Sequence, residues 1–283
     1  MTTATGRLHV GQGTHRGPLT VFPVWTDAPA AHRGYTTGAS APVDVAERSG
    51  SPAVDQLVLT NRGDRPALLL TGELLEGGWQ TRALTATTLL APGLPSVQRV
   101  VCVEEGRWGG ASTHARRARR APAAVRARFD APHAQQEVWD RVRRYDAVAG
   151  SSDTGSLADR LDRTAPAARD LTRGLRPLAG QRGLLVGVAG RPAWLEVFDS
   201  GRTLTAHWAG LLHAATLDAL GKPAIRTAGA AARSFAKRVE GTRHTAVHPA
   251  GLGRRLSGGT PVRVDAVRWH GRTVHLSAVL QEA

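Results

Sequence analysis

The sequence has almost no cysteine and no long apolar run. Cys102 is the only cysteine in 283 residues, so no intrachain disulfide can form. The longest apolar segments, such as Pro66 to Leu70 and Gly183 to Ala189, have the length of a strand and fall well short of the roughly 20 residues that cross a bilayer. The first residues also lack the basic and then apolar layout of a secretion signal. These absences predict a cytoplasmic protein that does not insert into a membrane.

Familiar metal and nucleotide motifs are missing as well. The eleven histidines form no His-Glu-x-x-His sequence, and His207 and His213 do not share a helical face, so no zinc site is expected. The GVAG sequence beginning at Gly187 lacks the third glycine of the dinucleotide fingerprint, and it is interpreted as a turn. Magnesium stays open, because that ion needs only one or two carboxylates beside substrate phosphates, and Glu73 and Glu104 are available. The cofactor is therefore unknown, and none is required.

Lysine is nearly absent, although the chain is strongly basic. The formal charge is +14, and only Lys222 and Lys237 among the 37 basic residues are lysine. Arginine-rich surfaces bind phosphate backbones by releasing condensed counterions, so nucleic acid is one candidate partner. The best candidate surface is the segment from His114 to Phe129, here called the basic segment, which contains Arg116, Arg117, Arg119, Arg120, Arg126 and Arg128. A solvated Arg/Ala helix in an Arg-biased chain explains the same segment equally well.

Local patterns predict an α+β fold in one composite domain spanning residues 1–283. The N-terminal half is β-rich, with five short runs divided by Gly, Pro, Asn or Asp: LTVFPVW, VDQLVLTN, PALLLTGEL, RALTATTLL and QRVVCVEE. From Pro122 to Leu178 the apolar spacing becomes helical, with Pro166 and Pro177 as breaks. The C-terminal third is predicted to be α/β, with two strands, a helix from Thr203 to Leu220, and a final β-hairpin that turns at His270-Gly271.

Two connections in the N-terminal half are also predicted. Asn61 to Asp64 is expected to be a tight turn that joins VDQLVLT to PALLLTG as a hairpin, because Asn and Gly tolerate positive φ. The segment from Arg33 to Ser51 has little periodicity and is expected to be a loop or lid. Within it, Val43, Val45 and Ala46 have the composition of a short element.

Polar residues concentrate between Thr71 and Trp108, near the ends of predicted strands, where binding sites are usually built. Glu73 and Glu104 are the expected catalytic residues, since two carboxylates in one cleft can be driven to different protonation states and act as general acid and base. The expected ligand-binding residues are Gln80, Arg82, Arg107 and Trp108. Guanidinium groups suit bidentate recognition of phosphate or carboxylate, and an indole ring can stack on a base or sugar.

Each of these residues also has a structural interpretation. The glutamates can form salt bridges with Arg82 or Arg107, which themselves suit surface or ion-pair roles. Trp79 and Trp108 are more often packed in a core than stacked on a ligand. Cys102 is expected to be a buried strand cysteine and not a nucleophile, because no neighbour in sequence would lower its pKa.

Two stretches of this region resemble motifs of a known family. They are Gly72-Glu73-Leu74-Leu75-Glu76-Gly77-Gly78-Trp79-Gln80-Thr81-Arg82 and Cys102-Val103-Glu104-Glu105-Gly106-Arg107-Trp108. With LTVFPV, QQEVW, QRGLLVGVAG and EVFDS, they make the chain similar to the ARG and rhodanese-phosphatase-superfamily-associated domain family over about residues 15–220, which leaves 221–283 as a C-terminal extension. Thr81 stands where the family usually has Asn, so a contact of that amide is lost or replaced by a hydroxyl.

The resemblance implies a ligand of the ADP-ribose type or another nucleotide-derived phosphate, because the family is named for gene neighbourhoods with ADP-ribosylglycohydrolase-type and phosphatase-type partners. The leading hypothesis is a hydrolase-like enzyme, or a ligand sensor on the same scaffold, that acts on a small phosphorylated metabolite. One alternative is an Arg-rich nucleic-acid-binding protein. The other is a structural or interaction module, in which Thr71 to Trp108 is only a β-core with ion pairs on its rim.

Overall fold

A computed structural model describes residues 6–30, 34–50 and 53–281 of the chain. The strands are β1 Leu8–Val10, β2 Thr14–Arg16, β3 Leu19–Thr26, β4 Thr36–Thr37, β5 Val43–Ala46, β6 Gln56–Asn61, β7 Ala67–Leu69, β8 Glu73–Gly77, β9 Arg82–Leu84, β10 Thr88–Leu90, β11 Pro95–Cys102, β12 Thr113–Arg120, β13 Gly183–Val188, β14 Arg191–Phe198, β15 Thr245–Ala250, β16 Gly253–Gly258, β17 Val262–Trp269 and β18 Arg272–Leu280. The helices are α1 Ala123–Arg126, α2 Ala134–Arg143, α3 Asp146–Ala149, α4 Leu157–Leu171, α5 Gly201–Ala219 and α6 Gly229–Glu240, with a 3-10 turn at Gly38–Ser40. The fold is α+β and forms one domain, as predicted.

The largest sheet is antiparallel and has the strand order β1-β3-β13-β14-β18-β17-β16-β15, with β2 paired to β3. Successive side chains of a strand point to opposite faces, so neighbouring residues enter different cores. In β3, Val21 packs in the cluster that contains Leu211 of α5, whereas Phe22 packs in the cluster that contains Phe235 of α6. The two helices therefore cover opposite faces, which explains why the central strands are apolar almost throughout.

Six strands form a closed barrel in the order β11-β6-β5-β12-β8-β9. Leu59, Leu75 and Leu84 belong to one buried cluster, whereas the alternate residues Leu74 and Ala83 belong to another cluster with side chains of α2 and α4. Because the side chains alternate along each strand, the first cluster is the barrel interior and the second is its outer wall.

A three-stranded sheet, β10-β7-β4, lies between the barrel and the large sheet. Leu68 and Leu89 pack in the core of the large sheet, while Leu69 and Leu90 pack in the barrel core. Both faces of this small sheet are therefore buried, and the barrel and the large sheet form one continuous structure.

Most predicted elements are present. The five N-terminal runs contain β3 and β6 to β11, and the segment between Pro122 and Leu178 contains α1 to α4. The expected helix corresponds to α5, and β17 and β18 form the final hairpin, in which His270 and Gly271 both have positive φ. The second half of the GVAG sequence, Ala189-Gly190, is the turn between β13 and β14, while Gly187 and Val188 belong to β13. No helix in the described parts of the chain is long and apolar enough to cross a membrane.

Two local predictions are wrong, one about a hairpin turn and one about the end of a helix. Asn61 does form a turn, since its Nδ2 donates to Arg65 O at 2.8 Å, but β6 pairs with β5 and β11 while β7 pairs with β4 and β10. The turn therefore passes the chain to another sheet and does not close a hairpin.

Pro166 lies inside α4 and does not end it. We attribute this to the buried face of α4, because tertiary packing can offset the hydrogen bond that a proline removes.

The predicted loop or lid is largely part of the fold. Arg33 and Ser51, at the two ends of that segment, lie outside the described residues. Between them, β5 contains the short element expected at residues 43–46 and is a strand of the barrel. Thr37 Oγ1 also donates to Leu68 O at 2.7 Å, which ties β4 to the small sheet. The weak periodicity reflects a short strand buried in a barrel, and not a mobile cover.

Candidate functional site

Glu104 and Arg107 form an ion pair just after β11. Arg107 Nε lies 2.9 Å from Glu104 Oε1, and Arg107 Nη2 lies 2.6 Å from Oε2. The carboxylate also accepts hydrogen bonds from Thr154 Oγ1 at 2.7 Å and from Thr81 N at 2.8 Å. Burial by itself raises the pKa of Glu104, but these donors outweigh burial and lower the pKa to about 2. Glu104 is therefore an anion at neutral pH whose oxygens already have partners.

Gln80 and Trp108 lie beside this ion pair. Gln80 Nε2 donates to Glu104 O at 3.0 Å. Trp108 packs edge-on against Trp79, with ring centroids 5.2 Å apart, and its ring centre is 5.8 Å from the guanidinium carbon of Arg82. Trp108 is 51% exposed, which makes it the most accessible of the six predicted site residues.

Arg82 is fully buried in the barrel and has a partner that the sequence did not indicate. Its Nη1 lies 3.0 Å from Glu47 Oε2, and the other oxygen of Glu47 lies 3.0 Å from His114 Nε2. Burial lowers the pKa of His114 although Glu47 opposes this shift, so the imidazole is neutral at neutral pH. Arg82 and Glu47 therefore balance each other's charge. They are 35 residues apart in the chain, and only the barrel pairing brings them together.

Glu73 lies at the other end of β8 and does not share a site with Glu104. Its carboxylate accepts from Arg116 Nε at 2.9 Å and from Leu70 N at 3.3 Å. The strand from Glu73 to Gly77 spans about 13 Å at its usual rise. The structure thus brings together five of the six predicted residues, with Glu73 as the exception. The two glutamates do not form the acid and base pair of one cleft, and whether either takes part in catalysis stays a prediction.

Cys102 is buried in β11, as predicted for a strand cysteine. Burial raises the pKa of its thiol, which disfavours the reactive thiolate. The backbone of Cys102 is bridged by Gln135 of α2, which accepts from Cys102 N at 3.0 Å and donates to Cys102 O at 2.8 Å. No group of three or more His, Cys, Asp or Glu side chains suited to a metal ion occurs in the described ranges.

The arginines of the basic segment mostly point into the protein. The segment forms β12 and α1, so the interpretation as one solvated helix is wrong. Arg119 Nη2 lies 2.6 Å from Glu76 Oε2, and Arg120 and Arg126 each lie 2.9 Å from Glu196 Oε1. Burial lowers the pKa of Arg126 to about 10, which still leaves it charged at neutral pH. These side chains form internal ion pairs and not the polyanion-binding surface that the charge pattern suggested.

A cavity of about 490 Å³ opens elsewhere, between the short helices and the end of the large sheet. We call it the basic cavity. Its lining residues are Ala123, Ala124, Ala127, Arg128, Arg141, Arg144, Val188, Ala189, Arg191, Pro192, Ala193, Asp218, Lys222 and Leu280. Ligand pockets typically measure about 300–1,000 Å³ and combine apolar walls with a few convergent polar groups. The cavity has this size and this composition.

Asp218 is the carboxylate among the lining residues, and it is held by several donors. Tyr145 Oη donates to Asp218 Oδ1 at 2.5 Å, and Arg141 Nη2 lies 3.4 Å from the same oxygen. Ala124 N donates to Oδ2 at 3.2 Å. Burial raises the pKa of Asp218, although these donors and their charges oppose the shift. Asp218 therefore connects α1, α5 and the residues between α2 and α3 at the cavity wall.

Sequence reasoning missed the basic cavity. Its residues come from several segments between Ala123 and Leu280, and two of its cations, Arg141 and Arg144, belong to one short run in α2 and just after it. Arginine is so frequent in this chain that no local pattern distinguishes the four arginines of the cavity from the rest. The one available signal was Lys222, since lysine is rare here.

Comparisons with known proteins agree with the motifs found between Thr71 and Trp108. The sequence profile of the ARG and Rhodanese-Phosphatase-superfamily-associated Protein domain matches residues 7–279. No curated protein and no solved structure matches the chain. Because the profile covers nearly the whole chain, this protein belongs to the ARG and Rhodanese-Phosphatase-superfamily-associated Protein domain family.

Proposed function

We propose that this protein binds a phosphorylated nucleotide metabolite, of which ADP-ribose is the type, in the basic cavity. The observation that carries the proposal is the set of five cations, four of them arginine, around one cavity of about 490 Å³. A guanidinium presents paired donors that match the geometry of a phosphate. The phosphate part of the proposal rests on these residues, and the ADP-ribose part rests on the family resemblance.

The apolar part of the lining supports a ligand larger than a free phosphate ion. Apart from the five cations and Asp218, the described lining consists of alanine, valine, proline and leucine side chains. Burial of an uncharged ligand portion against such a wall contributes to affinity, while the cations orient the charged portion.

Calorimetric titration with ADP-ribose tests the proposal. Wild type is expected to bind, and Arg191→Ala is expected to bind about tenfold or more weakly, because a charge-assisted hydrogen bond is lost. Arg202→Ala is a matched control, since Arg202 is exposed near the start of α5 while Asp218 lies near its end, about 24 Å along the helix. Absence of binding, or equal weakening by both substitutions, would refute the proposal.

In the enzymatic form of the proposal, the bound metabolite is hydrolysed, and in the sensor form it is only retained. Hydrolysis by general base catalysis needs a group near the ligand that accepts a proton from water, and Asp218 is the candidate among the described lining residues. Turnover of ADP-ribosylated and phosphorylated substrates is measured for wild type, Asp218→Asn, Glu73→Gln and Glu104→Gln. Turnover that only Asp218→Asn abolishes supports hydrolysis at the cavity. Binding without turnover by wild type supports the sensor form.

A further inference from the structure

We infer that the basic cavity recognises a diphosphate, or a longer phosphate chain, and does not discriminate between bases. This inference rests on the proposed function and specifies which part of the ligand is recognised. Three of the cations carry it: Arg144 just after α2, Arg191 at the start of β14, and Lys222 after α5. None of the three has a carboxylate within 4.0 Å among the described residues.

The other two cations that line the cavity, Arg128 and Arg141, do have carboxylates nearby. Arg128 Nη1 lies 3.6 Å from Glu137 Oε2, and Arg141 lies 3.4 Å from Asp218. Their charges are at least partly balanced within the protein. Within the part of the chain that the structure describes, three of the five cations around the cavity therefore have no carboxylate partner.

Two close backbone approaches hold the three segments together. Gly190 has a φ of +87°, and a Cβ there would lie 2.8 Å from Ile225 Cγ2, so the turn before Arg191 packs on the chain that follows Lys222. Gly221 has a φ of +73°, and a Cβ there would lie 2.8 Å from Val148 Cγ1 in α3. Any other residue at either position would be strained, because both positions have a positive φ. Packing between these segments therefore places the three cations around the same cavity.

The number of charges indicates the size of the anionic group. A single phosphate group carries about −1.5 to −2 at pH 7, which is too little to neutralise three cations. Two linked phosphates supply the missing charge, and their length suits donors that come from three separate segments. Concentrated like charges at a concave surface also attract such an anion over a distance.

The uncharged part of the lining offers little that would read a base. Among the described residues it contains no aromatic ring on which a base would stack, and no Asn, Gln, Ser or Thr side chain that would bond to a base edge. Apart from the five cations, Asp218 is the polar side chain among the described lining residues, and Tyr145, Arg141 and Ala124 donate to its oxygens or lie near them. Alanine and leucine side chains accept any flat or apolar group of suitable size. The phosphates are therefore the part of the ligand that the cavity recognises.

Calorimetric titration of the full chain at low salt tests this inference with inorganic phosphate, pyrophosphate, AMP, ADP, GDP and CDP. The three nucleoside diphosphates are expected to bind within about threefold of one another, and AMP about tenfold or more weakly, since it lacks the second set of charge-assisted hydrogen bonds. Pyrophosphate is expected to bind more tightly than phosphate. Arg144→Ala, Arg191→Ala and Lys222→Ala should each weaken ADP binding more than AMP binding, while Arg202→Ala leaves both unchanged.

The outcomes separate this inference from the proposed function. Equal affinity for AMP and ADP, or more than about tenfold discrimination among the three diphosphates, overturns the inference while ligand binding at the cavity survives. Failure of every compound to bind overturns both. If Arg191→Ala is an unstable protein, Arg144→Ala and Lys222→Ala provide the same test, because each removes one of the three charges. Diphosphate binding unaffected by Arg144→Ala and by Lys222→Ala also overturns the inference.

Discussion

Substitution of Glu104 by glutamine tests how strongly the Glu104–Arg107 ion pair stabilises this end of the barrel. Arg107 also donates to Gly78 O at 2.7 Å and to Gly109 O at 3.1 Å, so it joins the loops after β8 and β11. Glutamine keeps the size of the side chain but turns an amide donor toward a guanidinium that can only donate. The pKa of Glu104, about 2 in the folded protein against an ordinary 4.5, corresponds to about 3 kcal/mol at about 1.4 kcal/mol per unit.

The sign of the pH dependence follows from the direction of this shift. The folded-state pKa is depressed, so the stabilisation is complete above the ordinary pKa and is lost as the pH falls toward 2. Urea unfolding followed by tryptophan fluorescence should show Glu104→Gln less stable by about 3 kcal/mol at pH 7 and by less than half of that at pH 3. Glu105→Gln is the control, since Glu105 is exposed and its surface pair with Arg143 is screened by solvent. A difference below about 1 kcal/mol at pH 7, or one that does not change with pH, would refute this reasoning.

Three other outcomes follow from burial. Glu196→Gln leaves two buried arginines without their shared carboxylate and is expected to cost about 3–5 kcal/mol of unfolding free energy, so a wild-type urea midpoint would contradict the buried pairing. Cys102, whose thiol pKa is raised by burial, is expected to react with a thiol reagent at pH 8 only in the unfolded protein, and rapid reaction of the native protein would show that the site is accessible. Leu59→Ala removes a fully buried side chain of the barrel and is expected to lower the free energy of unfolding by about 2–5 kcal/mol. Leu94 is 65% exposed, so Leu94→Ala should change that free energy by less than about 0.5 kcal/mol. Similar losses for the two variants would contradict the position of the barrel core.

Local sequence patterns identified most elements because strand and helix formation depends on nearby residues. The short apolar run LTVFPVW, rich in β-branched and aromatic residues, and the helix pattern from Thr203 to Leu220 were sufficient to predict β3 and α5. The partners of a strand are not local, however. The residues from Asn61 to Asp64 are typical of a hairpin turn, yet β6 belongs to the barrel and β7 belongs to another sheet. Each strand pairs where both of its faces can be buried.

By itself, the sequence determined the α+β class, the family, and the grouping of Gln80, Arg82, Glu104, Arg107 and Trp108 in two neighbouring stretches. Only the tertiary structure decided which charges pair. It placed Glu73 against Arg116 and directed most arginines of the basic segment into the protein. One face of a barrel strand must be buried, and carboxylates on other strands form ion pairs with the arginines that are buried there. It also placed Arg144, Arg191 and Lys222 around one cavity with no carboxylate partner among the described residues, a property of packing between distant segments that no window of sequence contains.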